Sequence, residues 1–322
     1  SSLGVMVAKS SNIARVGAGA NVTARDQLTI RAESDTSLNQ NIIGFSGGMG
    51  LALTGSVGIN VLKTTTLAEI GANAQINQES GFDNISSQSV SVIADDSVTT
   101  QGAAGAAAVG GTAGIGLGLV ATVTRNTVQA KIGDGVVLAA NDDVTVDANS
   151  VKNISNQGIA FGGGVGVGAA GSVALTLIGG GMSDNASDTL SNDNGDMVAD
   201  AANEASEDRN ERKSDNESAN ATTNTAAYTE ADDNESNLLV QTQTAGLEDD
   251  INGNGGDTTS ASIGSNVTIT ANGDVTVDAT ETLNLSQISG GASVGLVGVG
   301  GFVAVADYGG SVNASIGDNT QI

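Results

Sequence analysis

The sequence predicts an all-β chain wound as a right-handed parallel β-solenoid, with repeats of about 53 residues and an acidic lateral insertion. The first observation is internal repetition. SLGVMVAKSSNIARVGAGA from Ser2 returns without a gap as SVGINVLKTTTLAEIGANA from Ser56, an offset of 54 residues. Part of the phrase returns at Gly118, where Arg125 takes the place of Lys9 and Lys63, and again at Ala261 and Ala314. A period of this size marks an architecture in which each unit buries its apolar edge against its neighbours. The second observation is composition. The 322 residues include 46 Gly, only 2% aromatics and no Pro, Cys, His or Trp. A compact core of that length uses more aromatic side chains, whereas small and β-branched residues suit a narrow space between stacked strands. The third is strict alternation of apolar and polar residues at period two, the mark of a strand with one face buried.

Taken in order, each unit has three parts. It opens on A-x-I-G and a short apolar alternation: Val22–Ala24, Val137–Ala140 and Val267–Ala271. A polar turn follows, such as Asn141-Asp142-Asp143 or Asn272-Gly273-Asp274, whose residues tolerate positive φ and bond locally to the backbone. It leads into a five-residue strand: Leu28–Ala32, Val144–Ala148 or Val275–Ala279. The third part is glycine-rich and almost free of charge, over Ile43–Val61, Gly102–Val123, Ile159–Ile178 and Ile288–Ala306. A membrane helix competes for these runs because of their length. Their Gly and β-branched content and their recurrence favour closely packed strands.

Aligned units begin at Ala14, Ala68, Ala130, Ala261 and Ala314, with a surplus loop around Gln78–Ser86. Because about 53 residues exceed one turn of a typical β-helix, two or three turns per unit are expected. Each unit would then lengthen the rod by about 10 to 15 Å at the strand spacing of stacked ladders.

Between Ile132 and Ile263 the period breaks. The chain divides into solenoid repeats over 1–179, an acidic insertion over 180–258 that is flexible or partly helical, and further solenoid repeats over 259–322. From Met182 to Asp257 there are 19 acidic and 3 basic residues, a net charge of −16 within a chain total of −25. The segment has too few large apolar residues for a core of its own. Met197–Lys213 and Ala226–Leu247 have helical composition. A coil corner is the expected site of insertion, since lengthening a loop costs little closure entropy.

Asp250, Asn252, Asn254 and Asp257 in DINGNGGD match the first half of a calcium loop, without the closing Glu at position 12. Calcium is the one cofactor this pattern points to, and a plain Asn/Gly turn is the alternative. Asp193–Asp196 is a weaker relative.

No catalytic residue is expected. Asp142, Asp143, Asp274 and Asp278 recur at turn and outward positions, which solubility of a rod requires. The acidic balance argues against nucleic acid and anionic membrane surfaces. Absent His removes the commonest base and metal ligand at neutral pH. The start within a repeat phrase suggests a window of a longer protein.

Ile132-Gly133-Asp134-Gly135 with Asp143-Val144-Thr145-Val146, and Ile263-Gly264 with Gly273-Asp274-Val275-Thr276-Val277, carry a resemblance. In these phrases the chain resembles the repeats of large filamentous-haemagglutinin-like and leukotoxin-type adhesins of Gram-negative bacteria. That resemblance covers the chain outside the insertion. It implies a non-enzymatic stalk or adhesive segment at the outer-membrane-associated, extracellular surface, acting in attachment, aggregation or fibre formation and in biofilm. The implied partners are cell surfaces, matrix polymers or other copies of the chain. A self-assembling subunit of an extracellular filament or sheath is the second reading.

Overall fold

The computed structural model describes residues 1–79, 86–179 and 256–322. They form strands β1 (Ser2–Val16), β2 (Asn21–Val22), β3 (Leu28–Gly48), β4 (Leu51–Ile70), β5 (Gln75–Ile76), β6 (Val90–Gly110), β7 (Ala113–Ile132), β8 (Val137–Ala140), β9 (Val144–Gly164), β10 (Val167–Ile178), β11 (Asp257–Ile263), β12 (Thr268–Ala271), β13 (Val275–Val294), β14 (Val297–Tyr308) and β15 (Gly310–Ile316). All pairing is parallel and builds three sheets. One sheet has seven strands in the path β1-β4-β7-β10-β14 with β11 and β15; the others run β12-β8-β5-β2 and β13-β9-β6-β3. Among the described residues this is a parallel β-solenoid, as the repeats predict.

The sequence repeat is the ladder register. Ser2 pairs with Ser56 and Val16 with Ile70, the same gapless offset that the repeated phrase shows. Ala14, Ala68, Ala130, Ala261 and Ala314 stack in one column. The offset is 62 between β5 and β8 but 54 between β6 and β9. The extra eight residues therefore lie between Ile76 and Val90, where the surplus loop was expected. Residues 80–85 of that loop are outside the described residues.

The expectation of two or three turns per unit is corrected. Each unit is a single turn, because a strand pairs directly with its counterpart one unit away on every face. The rod therefore grows by one strand spacing, about 4.8 Å, per unit. The unit is long because two of its three strands are long, 20 and 21 residues in the second coil. The five-residue strands foreseen from Leu28, Val144 and Val275 are only the first portions of β3, β9 and β13.

The long strands lie face to face. At one end the short strands β2, β5, β8 and β12 hold them apart, and the wide space is filled by Ile70, Ile132, Ile263, Leu138, Val92 and Val146. At the other end they converge into tight turns at 48–51, 110–113, 164–167 and 294–297. The glycine-rich runs straddle those turns, so each contains the end of one strand and the start of the next. There the two backbones leave no room for side chains: a Cβ at Gly114 would meet the Gly163 carbonyl, and one at Gly116 the Phe161 carbonyl.

The A-x-I-G phrase is explained by the corner at the wide end. A Cβ at Gly133 would press on the backbone of Ala72 one coil away, at 2.7 Å. Two residues on, the corner takes positive φ in every coil: Gly19, Asn73, Gly135, Asn266 and Asn319. Gly and Asn are the residues that enter that region at least cost.

The insertion does not leave from a corner, which is a second correction. Ile178 stands beside Thr124 and Thr258 beside Thr127, so the chain departs from the middle of the long strand. Gly179 takes the register place of Arg125, donating its amide to the Thr124 carbonyl at 2.9 Å. The solenoid resumes at Asp257, beside Asn126. In the next coil Gly309 alone bridges β14 and β15 at the same point.

Candidate functional site

Parity in β9 turns Ser150, Lys152 and Asn156 inward, between the two long sheets. Lys152 is fully buried. Its ammonium lies 2.9 Å from Asp257 Oδ2 and 3.1 Å from Glu281 Oε1, and donates to Ser150 Oγ at 2.9 Å. Around this trio, Thr259 Oγ1 donates to Glu281 Oε2 at 3.0 Å and the Tyr308 hydroxyl to Oε1 at 2.9 Å. The Asn126 amide donates to Asp257 Oδ1 at 3.1 Å. Partners thus come from three successive coils.

Two carboxylates share one ammonium, and their environments separate them. Burial pushes Asp257 up to about 6, an increase that Lys152 only partly offsets. Burial also acts to raise Glu281, but Lys152 and the hydrogen bonds from Tyr308 and Thr259 outweigh it and hold the carboxyl below its usual range. Near neutrality the trio carries an extra negative charge in the interior, and protonating Asp257 removes it.

In the same column as Ser150 and Glu281, Asp96 accepts from Thr64 Oγ1 at 3.2 Å, Thr66 Oγ1 at 3.1 Å and Asn126 Nδ2 at 2.9 Å. Burial raises its carboxyl despite these bonds. Beyond an aliphatic layer of Leu38, Leu62 and Val98 lies a second polar seam. There Thr122 donates to Asn156 Oδ1 at 2.8 Å, and Asn156 Nδ2 donates to Thr176 Oγ1 at 2.7 Å. The interior is therefore banded: aliphatic, ionic, aliphatic, amide, glycine. A polar band admits only the register that satisfies its hydrogen bonds.

The calcium pattern divides. Asp250, Asn252 and Asn254 lie outside the described residues, as do Asp193–Asp196 and the two stretches of helical composition. Asp257 is described, and its carboxylate faces inward onto Lys152. Among the described residues no three Asp or Glu side chains come together as a metal cluster. Asp143 and Asp274 stack in adjacent coils, but Asp143 Oδ1 accepts the Asp274 amide at 2.7 Å, a backbone cap. Asp134 caps Ser265 in the same way at 2.8 Å. Asp278 accepts from Thr280 at 3.0 Å on the outer surface. Asp147, next to it in register, is raised by burial and by the like charges of Asp95 and Asp278.

The outer face of the seven-stranded sheet carries charge in columns. Arg15, Glu69 and Lys131 alternate in sign, with contacts of 2.7 and 3.0 Å. Burial opposes ionisation of Glu69, but Lys131 and Arg15 together hold it below its ordinary value. Among the described residues no helix is long and apolar enough to cross a membrane. Comparison of the chain with protein-family models, curated proteins and solved structures yields no match.

The ionic seam escaped sequence reasoning, although its signal is present. Ser34, Asp96, Ser150 and Glu281 occupy one inward column, and Lys152 sits at inward parity two residues after Ser150. Alternation marks these positions as interior; their polarity there is the anomaly.

Proposed function

We propose that this chain is a non-enzymatic structural stalk or adhesive segment of a large bacterial cell-surface protein, acting in attachment, aggregation or fibre formation. The observation that carries the reading is the continuous, register-matched stacking of repeats on all three faces. Such ladders resist bending and shear, and the corners and outer faces are left to present surfaces. The resemblance of the I-G and D-V-T-V phrases to filamentous adhesins supplies the cellular setting: an exported chain at the outer surface, contacting host or neighbouring cells, matrix polymers or further copies of itself. Of the recurring turn and outward carboxylates, Asp143 caps the Asp274 amide and Asp278 accepts from Thr280 on the outer surface, roles that suit a structural rod. Calcium ligation by Asp250, Asn252 and Asn254 would have to proceed without Asp257.

Beads coated with the purified chain test this. They should attach to cell or matrix-polymer surfaces under flow, or aggregate, well above beads coated with an unrelated rod-shaped repeat protein. Equal retention on all surfaces would overturn the adhesive role. The second reading is a self-assembling subunit of an extracellular filament or sheath. It predicts regular filaments in electron micrographs that lengthen with protein concentration.

A further inference from the structure

Near the tight turns the sheet β13-β9-β6-β3 carries no charge, and the side chains on its outer face change size from coil to coil. Alternation turns the odd-numbered residues of β3, β6 and β9 outward, with even-numbered ones of β13 beside them in register. The first coil presents Ile43, Phe45 and Gly47, and the second, in register, Gly105, Ala107 and Val109. The third returns to Ile159, Phe161 and Gly163, and the fourth to Gly290, Ala292 and Val294. Three columns thus alternate between large and small with a period of two coils. Stacking within the rod does not ask for this: in the same sheet Ala94, Ala148 and Ala279 stack like on like, as do Val92, Val146 and Val277. The large side chains stand in solvent, with Ile43 80%, Phe45 74% and Ile159 52% exposed. The small positions beside them are open: an added Cβ at Gly105 would find no atom nearer than 4.0 Å, and one at Gly290 none within 4 Å. A row of amides borders the face, where Asn39 donates to Gln101 Oε1 at 3.3 Å. An exposed apolar patch with a polar rim marks an interaction site.

We propose that this face docks a second copy of the chain, the two rods lying antiparallel about a two-fold axis that runs along the strands. That axis keeps each column opposite itself and reverses the coil order, so the first coil meets the fourth and the second meets the third. Ile43 then faces Gly290 of the other copy, and Phe45 faces Ala292. In the middle coils Gly105 faces Ile159, Ala107 faces Phe161 and Val109 faces Gly163. Every contact sets a large side chain against a small one, which is what interdigitating sheet faces require. Rods lying parallel, about an axis along their length, would set Phe45 on Phe45 and Ala107 on Ala107, an overlap in one coil and a gap in the next. A lipid surface takes apolar side chains of any size, so the alternation selects a second copy. The face covers about 400 Å² per copy at the spacings of strands and residues. A stable complex covers about 800 Å² per partner, so the association is weak and concentration-dependent. Such a contact deepens the aggregation named in the function proposed above and rests on that part of it alone. Attachment of beads to cells or matrix polymers does not need it, so the two readings fail in different experiments.

Sedimentation velocity of the full chain over the micromolar to millimolar range tests this, with circular dichroism and the urea midpoint as checks of folding. The unaltered chain should pass reversibly from monomer to dimer as concentration rises. Gly105→Ile fills the hollow that faces Ile159 and should weaken dimerisation at least tenfold with the midpoint unchanged. Adding Ile159→Gly exchanges the large and small places, and the Gly105→Ile/Ile159→Gly chain should dimerise within about threefold of the unaltered one, because each large side chain again meets a small one. Association driven by apolar area alone responds in the opposite direction, since Gly105→Ile adds area. Unchanged or stronger dimerisation in that variant would therefore overturn the proposal. So would an exchanged chain that folds without recovering the dimer, or an unaltered chain that stays monomeric throughout. A monomer that co-floats with phosphatidylcholine vesicles would overturn it in favour of a lipid surface.

Discussion

Lys152 is the residue on which the interior depends most. It neutralises carboxylates from the following coil and reaches them through a space that admits no water-exposed atom of its own. Buried charge clusters are weak net stabilisers, but removing one partner strands the others. Lys152→Met should cost about 3 to 5 kcal/mol, read from urea or guanidinium unfolding, because Asp257 and Glu281 then face each other without a cation. The same trio sets a pH dependence. With Asp257 raised to about 6 from an unfolded value of 3.8, the folded state binds the proton more tightly. Its contribution is therefore favourable at low pH and is lost as pH rises through about 6. Asp96 and Asp147 are raised as well and act in the same sense, while Glu281 is lowered and acts oppositely, nearer its own usual range. Between pH 7 and 5 the denaturation midpoint should rise, and Asp257→Asn should flatten that rise. An unchanged slope in the variant would remove Asp257 from the account.

At the scale of the element, the sequence was most legible where one physical demand recurs in every coil. The repeated phrase from Ser2 and Ser56 is the pairing register itself, since identical apolar columns stack only at that offset. The I-G corner was legible because each coil stacked on a preceding one, at Gly71, Gly133, Gly264 and Gly317, has no room for a Cβ there. What escaped is what parity and repetition leave open. The tight turn inside each glycine-rich run has the same composition as the strands beside it, so the run read as one stretch. Coil number followed from unit length, and length alone does not distinguish two short turns from one long one. The glycines themselves make opposite predictions according to face. Gly116 points inward at the tip, where an added side chain would meet the Phe161 backbone. Gly116→Val should destabilise by about 1 to 3 kcal/mol or more, the usual cost of overpacking. Gly105 points outward, in register between Ile43 and Ile159, with no atom nearer than 4.0 Å to its would-be Cβ. Gly105→Val should be tolerated. Chemical denaturation of the two variants gives the comparison, and equal losses would mean the two faces are not distinguished at the tip.

For the whole molecule the decisive feature is how the acidic segment joins the rod. The break falls within a long strand, yet the strand is not disturbed on either side of it. β10 and β11 both pair with β7, in register with residues that are nearly consecutive there. Gly179 and Asp257 already touch: a Cβ on Gly179 would stand 2.7 Å from the Asp257 nitrogen. The coil above, where Gly309 alone links Tyr308 to Gly310, shows the same path closed without an insertion. Removing the 77 residues 180–256 reduces the offset of 131 between β7 and β11 to 54, the offset between β1 and β4. The shortened chain should therefore fold with its three sheets intact and its net charge lowered from −25 to −10. Extending the cut by one residue should not be equivalent. Deleting 180–257 removes the carboxylate beside Lys152 and shifts β11 against β7 by one position, which turns Ala261 and Ile263 outward. Circular dichroism and thermal melting of the two deletions, which differ by a single residue, separate an anchor from a spacer. A cooperative melt for the shorter cut with a lost or broadened one for the longer makes Asp257 part of the rod. Equal melts would show that the register tolerates slippage and that the ionic seam does not hold it.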